Sequence, residues 1–517
     1  MLLSRMIRDL KYEIICGETS IDVADITNDS RKAGEGILYF AVPGAKFDGS
    51  NFIPEVIRKG AVAIVTEKEE DQLADILEAE MALNGEFEEL DSNKVCILKV
   101  DNVRYAMGVM SSEFYGNPSD ELTVIGITGT KGKTTTSYMI REMLELSGLR
   151  TGIVGTIEID DGKDCYDAKN TTPESIVLHE TFRRMVDNGL DCVVMEVSSQ
   201  GLKLDRVAGV AFDYGIFTNL SPDHIGPDEH ADFEEYKECK KKLFSMCETA
   251  IYNLDDPATE YMMEGSTANP ITFGKSEYSD YIAVGHKLYK EDGLLGIEFD
   301  VDGTLEGRIR VDLPGDFSIY NSLAAIVLAD CMGVGFEEIQ RILECIKVRG
   351  RVEMIPISDK FTLMIDYAHN GMALQSLLGA IREYNPKRIV TLFGCGGDRS
   401  KARRYEMGEV SGKYSDFSIV TSDNPRTEDP QAIIDDILSK LKPTGGKYID
   451  IIDRKEAIRY AIMNAQEGDV IILAGKGHED YQEINGVKHH MDERDLIREI
   501  LEEEDVGKIC GYNNRYF

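Results

Sequence analysis

Apolar residues along this chain come in short runs, each stopped by glycine or a polar cluster, with stretches of helical spacing between them. From residue 1 to about 110 the runs ILYFAV, AVAIVT and VCILKV alternate with helical stretches, which predicts a small α/β unit. The chain then turns at Asn117-Pro118-Ser119, a linker composition. A second unit opens on LTVIGIT, a β-branched run. After it, Met139/Met143 and Ile140/Leu144 recur at helical spacing as far as Gly148, and the runs DCVVMEV, YGIFTNL and AIYNL follow. A third unit begins after about Val348, with strands predicted in FTLMIDYA, RIVTLFG, FSIVTSD and DVIILAG. Strands alternating with helices predict a mostly parallel sheet with helices on both faces, so the fold class is α/β. The expected division is 1–118, 119–347 and 348–517, in keeping with a length of 517 residues.

Composition narrows the function by exclusion. The formal charge is −36, which argues against a nucleic-acid partner, since that needs a basic footprint. An anionic substrate must therefore be held by local groups against the field of the whole chain. Part of the acidic excess lies between Glu67 and Lys94, read as a solvated insertion. No run approaches the roughly 20 apolar residues of a membrane span. The first residues, MLLSRMIRDLKYEI, carry charges through their only apolar stretch, unlike a secretory signal. A cytoplasmic protein without membrane insertion is expected. None of the ten cysteines forms a C-x-x-C pair, and several, such as Cys96 and Cys192, sit in apolar runs, which predicts buried reduced thiols.

The clearest chemical signal is Gly129-Thr130-Lys131-Gly132-Lys133-Thr134-Thr135-Thr136, set between a strand and a helix. Its glycines let backbone N–H groups approach phosphate oxygens, and the helix start adds positive potential. Lys133 has the reach for terminal phosphates, and Thr134 has a hydroxyl for Mg²⁺. The spacing departs from the common phosphate loop, because position 127 is Ile and the upstream glycine, Gly126, is one residue further out. In the third unit, ligands are expected at the carboxyl ends of the strands, in GCGGDRS, SDNPRTEDP and GKGHEDYQ.

TGTKGKTTT, with NTTPE, MEVSSQGL, TNLSPDH, GCGGDRS, DNPRTEDP and GKGHEDYQ, resembles the Mur ligase family. The motifs run in family order over nearly the whole chain. The resemblance implies a UDP-binding N-terminal domain, a central ATPase domain and a C-terminal Rossmann-like domain that receives an amino acid. It implies an ATP-dependent, amide-forming ligase of peptidoglycan synthesis. ATP phosphorylates the carboxylate of a UDP-linked muramoyl dipeptide, and the amine of a diamino acid attacks the acyl phosphate.

The same resemblance implies residue roles. The ATP site takes Gly129, Thr130, Lys131, Gly132, Lys133, Thr134 and Thr135, with Asn321, Arg351 and Asp366. Lys133, Glu196, His224, Lys240 and His369 are the implied catalytic residues. Mg²⁺ falls to Thr134, Glu196, His224 and Lys240, the last as a carbamate. From the residues alone, Lys237, Lys240, Lys241 and Lys242 carry similar weight; only the family register counted from Leu243-Phe244 selects Lys240. Ser30, Asn170, Thr171, Thr172, Ser198 and Arg206 are implied for the UDP substrate. Arg399, Asp423, Asn424, Arg426, Gly475 and Glu479 are implied for the amino acid. Arg426 marks the diaminopimelate-adding branch, because an arginine fork suits the distal carboxylate that lysine lacks. The partners expected are these small molecules alone, and the chain is expected to be a monomer.

Other readings stay open at this level. They are lysine or ornithine as the amino acid, a folylpolyglutamate- or cyanophycin-type ligase, and a nucleotide-binding partner without activity. Several positions also depart from the family pattern. They are Ser318, Asn370, Leu204, the stretch VPGAKFDGS and the longer IGPDEHADF after Asp223-His224.

Overall fold

The computed structural model describes residues 1–44, 47–84, 95–223, 225–226, 229–291 and 293–503, with the backbone alone at 80–84. The chain divides into two compact units, Met1–Thr272 and Phe273–Phe517.

The first unit holds two sheets. One has the strand order Glu13–Cys16, Cys96–Lys99, Ala63–Thr66, Ile37–Phe40, Asp25–Thr27. It is parallel apart from Glu13–Cys16, an antiparallel edge. The three apolar runs noted in the sequence are its inner strands. They are apolar at every position but their last residues Thr66 and Lys99, because both faces are covered. Leu38, Phe40, Ala63, Val65 and Leu98 pack with Val103, Met107 and Met110 of the helix Val103–Phe114. Tyr39, Ile64 and Ile97 pack on the other side with Ile53 and Val56. The acidic segment includes the helix Glu70–Asn84, anchored by buried Leu73; residues 85–94 lie outside the described residues.

The second sheet of this unit runs Cys247–Asn253, Phe212–Phe217, Thr123–Thr128, Cys192–Glu196, Thr151–Val154, Glu158–Asp160, Cys165–Asp167. Its first five strands are parallel, and the last two extend it antiparallel. Gly126 turns out to be a strand residue rather than part of the loop. A Cβ there would meet the Phe212 ring at 2.7 Å, so glycine is needed for packing. The helix Lys133–Leu146 follows the loop and buries Met139, Ile140, Met143 and Leu144 completely, as their spacing predicts. Each such side chain contributes about 1.5–3 kcal/mol on burial, enough to pin the helix start where the loop ends.

The second unit begins with a feature the sequence did not announce, an antiparallel meander of Tyr281–Glu291, Leu294–Gly303 and Gly307–Val311. The helices Phe317–Cys331 and Phe336–Cys345 follow. Then comes a six-stranded sheet in the order Glu353–Met354, Thr362–Asp366, Asp469–Ala474, Arg388–Phe393, Phe417–Val420, Tyr448–Asp450. Only the short first strand is antiparallel. Separate apolar clusters cover its two faces. Because the last strand in chain order inserts between the first two long ones, the loops after Asp366, Ala474, Phe393 and Val420 stand side by side at one edge.

No helix among the described residues is long and apolar enough to cross a membrane. All nine cysteines among the described residues are free. Cys96, Cys192, Cys239, Cys247 and Cys395 are buried as expected, while Cys165, Cys331 and Cys345 are exposed.

Candidate active site

The strand order of the first unit decides what surrounds the phosphate loop. Thr123–Thr128 lies between Cys192–Glu196 and Phe212–Phe217, with Ile127 level with Glu196 on one side and Thr128 with Phe217 on the other. The loop therefore opens between the carboxyl ends of two neighbours. Gly129 and Gly132 have φ of 150° and 89°, and a Cβ on Gly129 would meet Thr218 Oγ1 at 2.0 Å. The loop is clamped from the side by Asn219. Its Oδ1 accepts from Lys131 N at 2.9 Å, and its Nδ2 donates to Lys131 O at 3.0 Å. Thr130 Oγ1 lies 3.0 Å from the hydroxyl of buried Tyr236. Lys131 is exposed and pairs with Asp223 at 3.2 Å. Thr135 is half-buried in the first helical turn.

Lys133 Nζ donates to the carbonyl oxygen of Gly129 at 2.8 Å and to that of Thr130 at 3.3 Å. Lys240, on the helix Phe233–Lys241, reaches the same Gly129 oxygen at 2.8 Å. Lys240 is almost fully buried, and its ammonium lies over the Tyr236 ring. Burial, and then the neighbouring Lys133 cation, push its pKa well below the ordinary lysine range; Asp223 opposes this only in part. The other lysines of that helix behave as a surface. Lys237 pairs with Glu234 and Lys241 with Glu264.

Glu196 is buried at the end of its strand. Its carboxylate accepts from Thr134 Oγ1 at 3.0 Å, from Thr156 N at 2.8 Å and from Thr156 Oγ1 at 3.0 Å. A hydroxyl and a carboxylate of this kind are hard oxygen donors and suit Mg²⁺. His224 lies outside the described residues. Among the described residues no group of three His, Cys, Asp or Glu side chains is arranged around a common point.

Two of the residues expected to touch the UDP substrate, Thr171 and Thr172, connect to Glu196. Thr171 Oγ1 is 3.1 Å from Thr156 Oγ1, which in turn donates to Glu196. Thr172 Oγ1 donates to Glu196 O at 2.9 Å and accepts from Ser198 N at 2.9 Å. Ser198 caps the short helix Ser199–Lys203 by accepting from Gly201 N, so a capping role is real here. Arg206 donates to Thr172 O at 3.1 Å and pairs with Glu174 at 2.6 Å. Asn170 is exposed beside them. Ser30 belongs to the other sheet of the unit, on the turn Ser30–Lys32, where its carbonyl receives Lys59 Nζ.

In the second unit, three motifs meet at the sheet edge. Asn424 Nδ2 donates to Glu479 Oε2 at 2.9 Å. Between them sits Lys476, wholly buried, donating to Asn424 Oδ1 at 3.0 Å and to Glu479 at 2.7 Å. Arg426 adopts a left-handed φ of 52°. Its Nε donates to Glu483 Oε2 at 3.0 Å and its Nη1 to Gly397 O at 2.8 Å. Asp423 stands against Gly475, where a Cβ would lie 3.1 Å from its carboxylate. Arg399 is exposed. Close by, Asp366 accepts from the backbone of Val352 and Ala368 at 2.8 Å each. Arg351 lies over the Tyr367 ring at 4.6 Å, and His369 packs on the same ring. Asn321 is buried on the helix Phe317–Cys331. Of the positions that depart from the family pattern, Ser318 turns its hydroxyl to Pro314 O, and Asn370 caps the helix Gly371–Arg382.

Sequence reading missed Asn219, Thr156, Lys476, Glu483 and Gly396. Lys476 and Glu483 lie within or beside a quoted motif, but only the folded arrangement shows what they hold. Gly396 had a weak signal as the first glycine of GGD. A Cβ there would meet Arg426 Nη1 at 2.8 Å, so the arginine needs that glycine.

Family profiles match residues 22–115 (Mur ligase family, catalytic domain), 127–329 (Mur ligase middle domain) and 350–477 (Mur ligase, glutamate ligase domain). A UDP-N-acetylmuramoyl-L-alanyl-D-glutamate–2,6-diaminopimelate ligase of Caldanaerobacter subterraneus subsp. tengcongensis is 41% identical over 98% of this chain and 100% of its own. The enzyme of the same name from Clostridium perfringens is 39% identical over 97% and 100%. A solved structure of a ligase of that name aligns with TM-score 0.67 at 27% identity, covering 98% of this chain and 99% of its own. The MurF ligase from Thermotoga maritima in complex with ADP shares the fold, with TM-score 0.55 at 21% identity over 93% and 97%. With all three segments matched in order and these relatives aligned over nearly the full length of both chains, the chain belongs to the Mur ligase family.

Proposed function

We propose that this protein joins meso-diaminopimelate to UDP-N-acetylmuramoyl-L-alanyl-D-glutamate, using ATP, in the cytoplasm and as a monomer. Three domains, at 1–118, 119–347 and 348–517, take the UDP substrate, ATP and the amino acid. The observation that carries the substrate is the charge pattern at the second unit's sheet edge. There Arg426 and the Glu479–Lys476–Asn424 cluster offer cationic and anionic groups in one place. The distal end of diaminopimelate carries a carboxylate and an ammonium, which need such a pair. The full-length similarity to ligases named for 2,6-diaminopimelate supports the same reading.

In this reading Gly129 to Thr135 cradle the ATP phosphates through backbone N–H groups, and Lys133 turns from the loop carbonyls to the terminal phosphate. Asn321, Arg351 and Asp366 serve the nucleotide, and His369 acts beside them. Ser30, Asn170, Thr171, Thr172, Ser198 and Arg206 hold the UDP substrate. Thr134, Glu196, His224 and carbamoylated Lys240 would hold Mg²⁺; the oxygens of Thr134 and Glu196 already lie 3.0 Å apart. Mg²⁺ bound there would offset the charge that builds as the phosphoryl group moves. Lys240 suits carbamate formation because burial and the Lys133 cation favour its neutral amine, the form that adds to CO₂. Arg399, Asp423, Asn424, Arg426, Gly475 and Glu479 hold the diamino acid, whose free amine attacks the acyl phosphate. Attack gives a tetrahedral intermediate, which expels phosphate and leaves the amide.

Phosphate release with ATP and UDP-muramoyl dipeptide, run against a panel of diamino acids, tests the reading. Turnover should be fastest with meso-diaminopimelate. Equal or faster turnover with lysine or ornithine would overturn the substrate assignment, and no amino-acid-dependent release would overturn the ligase itself.

A further inference from the structure

Beneath the amino-acid pocket lies a charged pair that no motif announced. Arg454 and Glu493 are the first residues of the helices Arg454–Met463 and Glu493–Glu503. Their side chains are 1% and 0% exposed. Arg454 Nε donates to Glu493 Oε1 at 2.9 Å, and Nη2 lies 2.8 Å from the same oxygen. The remaining donors go elsewhere: Nη1 to the carbonyl oxygen of Ser422 at 3.2 Å, and Nη2 to that of Ala474 at 3.1 Å.

Those two carbonyls are not arbitrary. Ser422 directly precedes Asp423-Asn424, and Ala474 directly precedes Gly475-Lys476. Their strands, Phe417–Val420 and Asp469–Ala474, are not neighbours; both flank Arg388–Phe393. One guanidinium thus bridges the starts of two loops whose strands share no ladder; further out the same segments meet through Asn424 with Lys476 and Glu479 and through backbone bonds of Arg426 with Glu483 and Asn485. A planar fork with five donors holds the two carbonyls and the carboxylate in one fixed geometry, where an ammonium offers three donors on a flexible stem.

The pair is a poor device for stability. Glu493 Oε2 is buried without a hydrogen-bond partner among the described residues. Burying an ion pair costs several kcal/mol per ion, and an apolar pair of similar volume is often as stable. What an apolar pair does not supply is a fixed distance between two backbone carbonyls.

We infer that Arg454 is a positioning residue for amino-acid recognition, setting the spacing between the loop of Asn424 and Arg426 and the loop of Lys476 and Glu479. This rests on the reading of those loops as the diamino-acid site. Loosening the bridge lets the loops shift by a fraction of an ångström. That degrades a pocket whose cation and anion must meet both ends of one ligand, and it leaves the phosphate loop in the other unit untouched.

The test is a set of initial-rate measurements on the wild type, Arg454→Lys and the double variant Arg454→Met/Glu493→Leu, varying each substrate in turn. Expected is a rise in KM for meso-diaminopimelate of roughly 10- to 100-fold in both variants, with KM for ATP and for the UDP-dipeptide within about 2-fold of wild type. A folded variant pair with wild-type KM for the amino acid overturns the inference. So does a parallel change in all three KM values, which is the mark of general loosening. If the double variant does not fold, Arg454→Lys decides by the same split. A wild type that turns over only another diamino acid overturns the substrate reading instead, and the KM split is then read with that amino acid.

Discussion

Lys133 and Lys240 donate to one acceptor, the carbonyl oxygen of Gly129, each at 2.8 Å. Two ammonium groups on a single carbonyl repel, and the buried one yields its proton more easily. Lys240→Ala is therefore expected to be inactive, with partial recovery on adding formate or acetate, which supply the missing anion. Lys237→Ala and Lys241→Ala should keep near-normal rates, since those side chains pair with surface glutamates. Phosphate-release assays on the three variants check this. Loss of activity in either surface variant, with Lys240→Ala active, would show that the carbamate register is wrong.

In the proposed mechanism Lys133 serves the terminal phosphate of ATP, and Lys133→Ala removes that cation. Phosphate release should fall on the order of 10²- to 10³-fold, the usual cost of one preorganised donor to developing charge. The thermal unfolding curve should stay nearly unchanged, because the helix is held by buried Met139, Ile140, Met143 and Leu144. Near-normal turnover with an unchanged melting profile would remove Lys133 from the mechanism.

Arg426 is held by Glu483 and by Gly397 O before any substrate arrives. Its guanidinium is thus preoriented, and Arg426→Ala should lose most activity with diaminopimelate. In the proposed site the distal carboxylate of diaminopimelate gives Arg426 a second anion beside Glu483, and omitting such a partner, as with lysine, costs on the order of 2–5 kcal/mol. At about 1.4 kcal/mol per decade, the wild type should favour diaminopimelate by roughly 30-fold to several-thousand-fold in kcat/KM. The variant should narrow that ratio while KM for ATP stays put. An unchanged ratio would mean that Arg426 does not read the distal carboxylate.

His179 gives the first unit an acid-sensitive point. It is wholly buried on the helix Ser175–Asp187, with Nε2 2.9 Å from Ala208 O. Burial lowers its pKa from 6.5 to about 4, against the smaller opposing pull of that carbonyl. Between these values the unfolded chain binds a proton that the folded chain does not. Stability therefore falls as pH drops below 6.5, and this loss is complete below about pH 4. At pH 5 the penalty is about 2 kcal/mol. His179→Gln keeps a donor for Ala208 and cannot titrate. Denaturant unfolding at pH 7 and pH 5 should show the variant losing about 2 kcal/mol less than the wild type over that interval. Equal losses would show that His179 is not the titrating group.

The sequence by itself determined the parallel strands and the phosphate loop, because both rest on local pattern. ILYFAV, DCVVMEV and DVIILAG are apolar at nearly every position since each is covered on both faces. GTKGKTTT needs only its own glycines and the helix behind it. The resemblance carried by short motifs also named most of the site, because Thr134, Glu196, Asn424 and Arg426 stand within them. The meander Tyr281–Val311 was not legible, since two-sided antiparallel strands of mixed polarity lack a strong period. The packing reason for Gly126, the Phe212 ring, was not legible because it comes from a strand 86 residues away in the chain. Among four similar lysines, burial singled out Lys240, and burial belongs to the tertiary structure alone. The same holds for Lys476, Glu483 and Arg454. Each acts through carbonyls and carboxylates brought from distant segments by the strand order, and nothing in their own neighbours along the chain records that meeting.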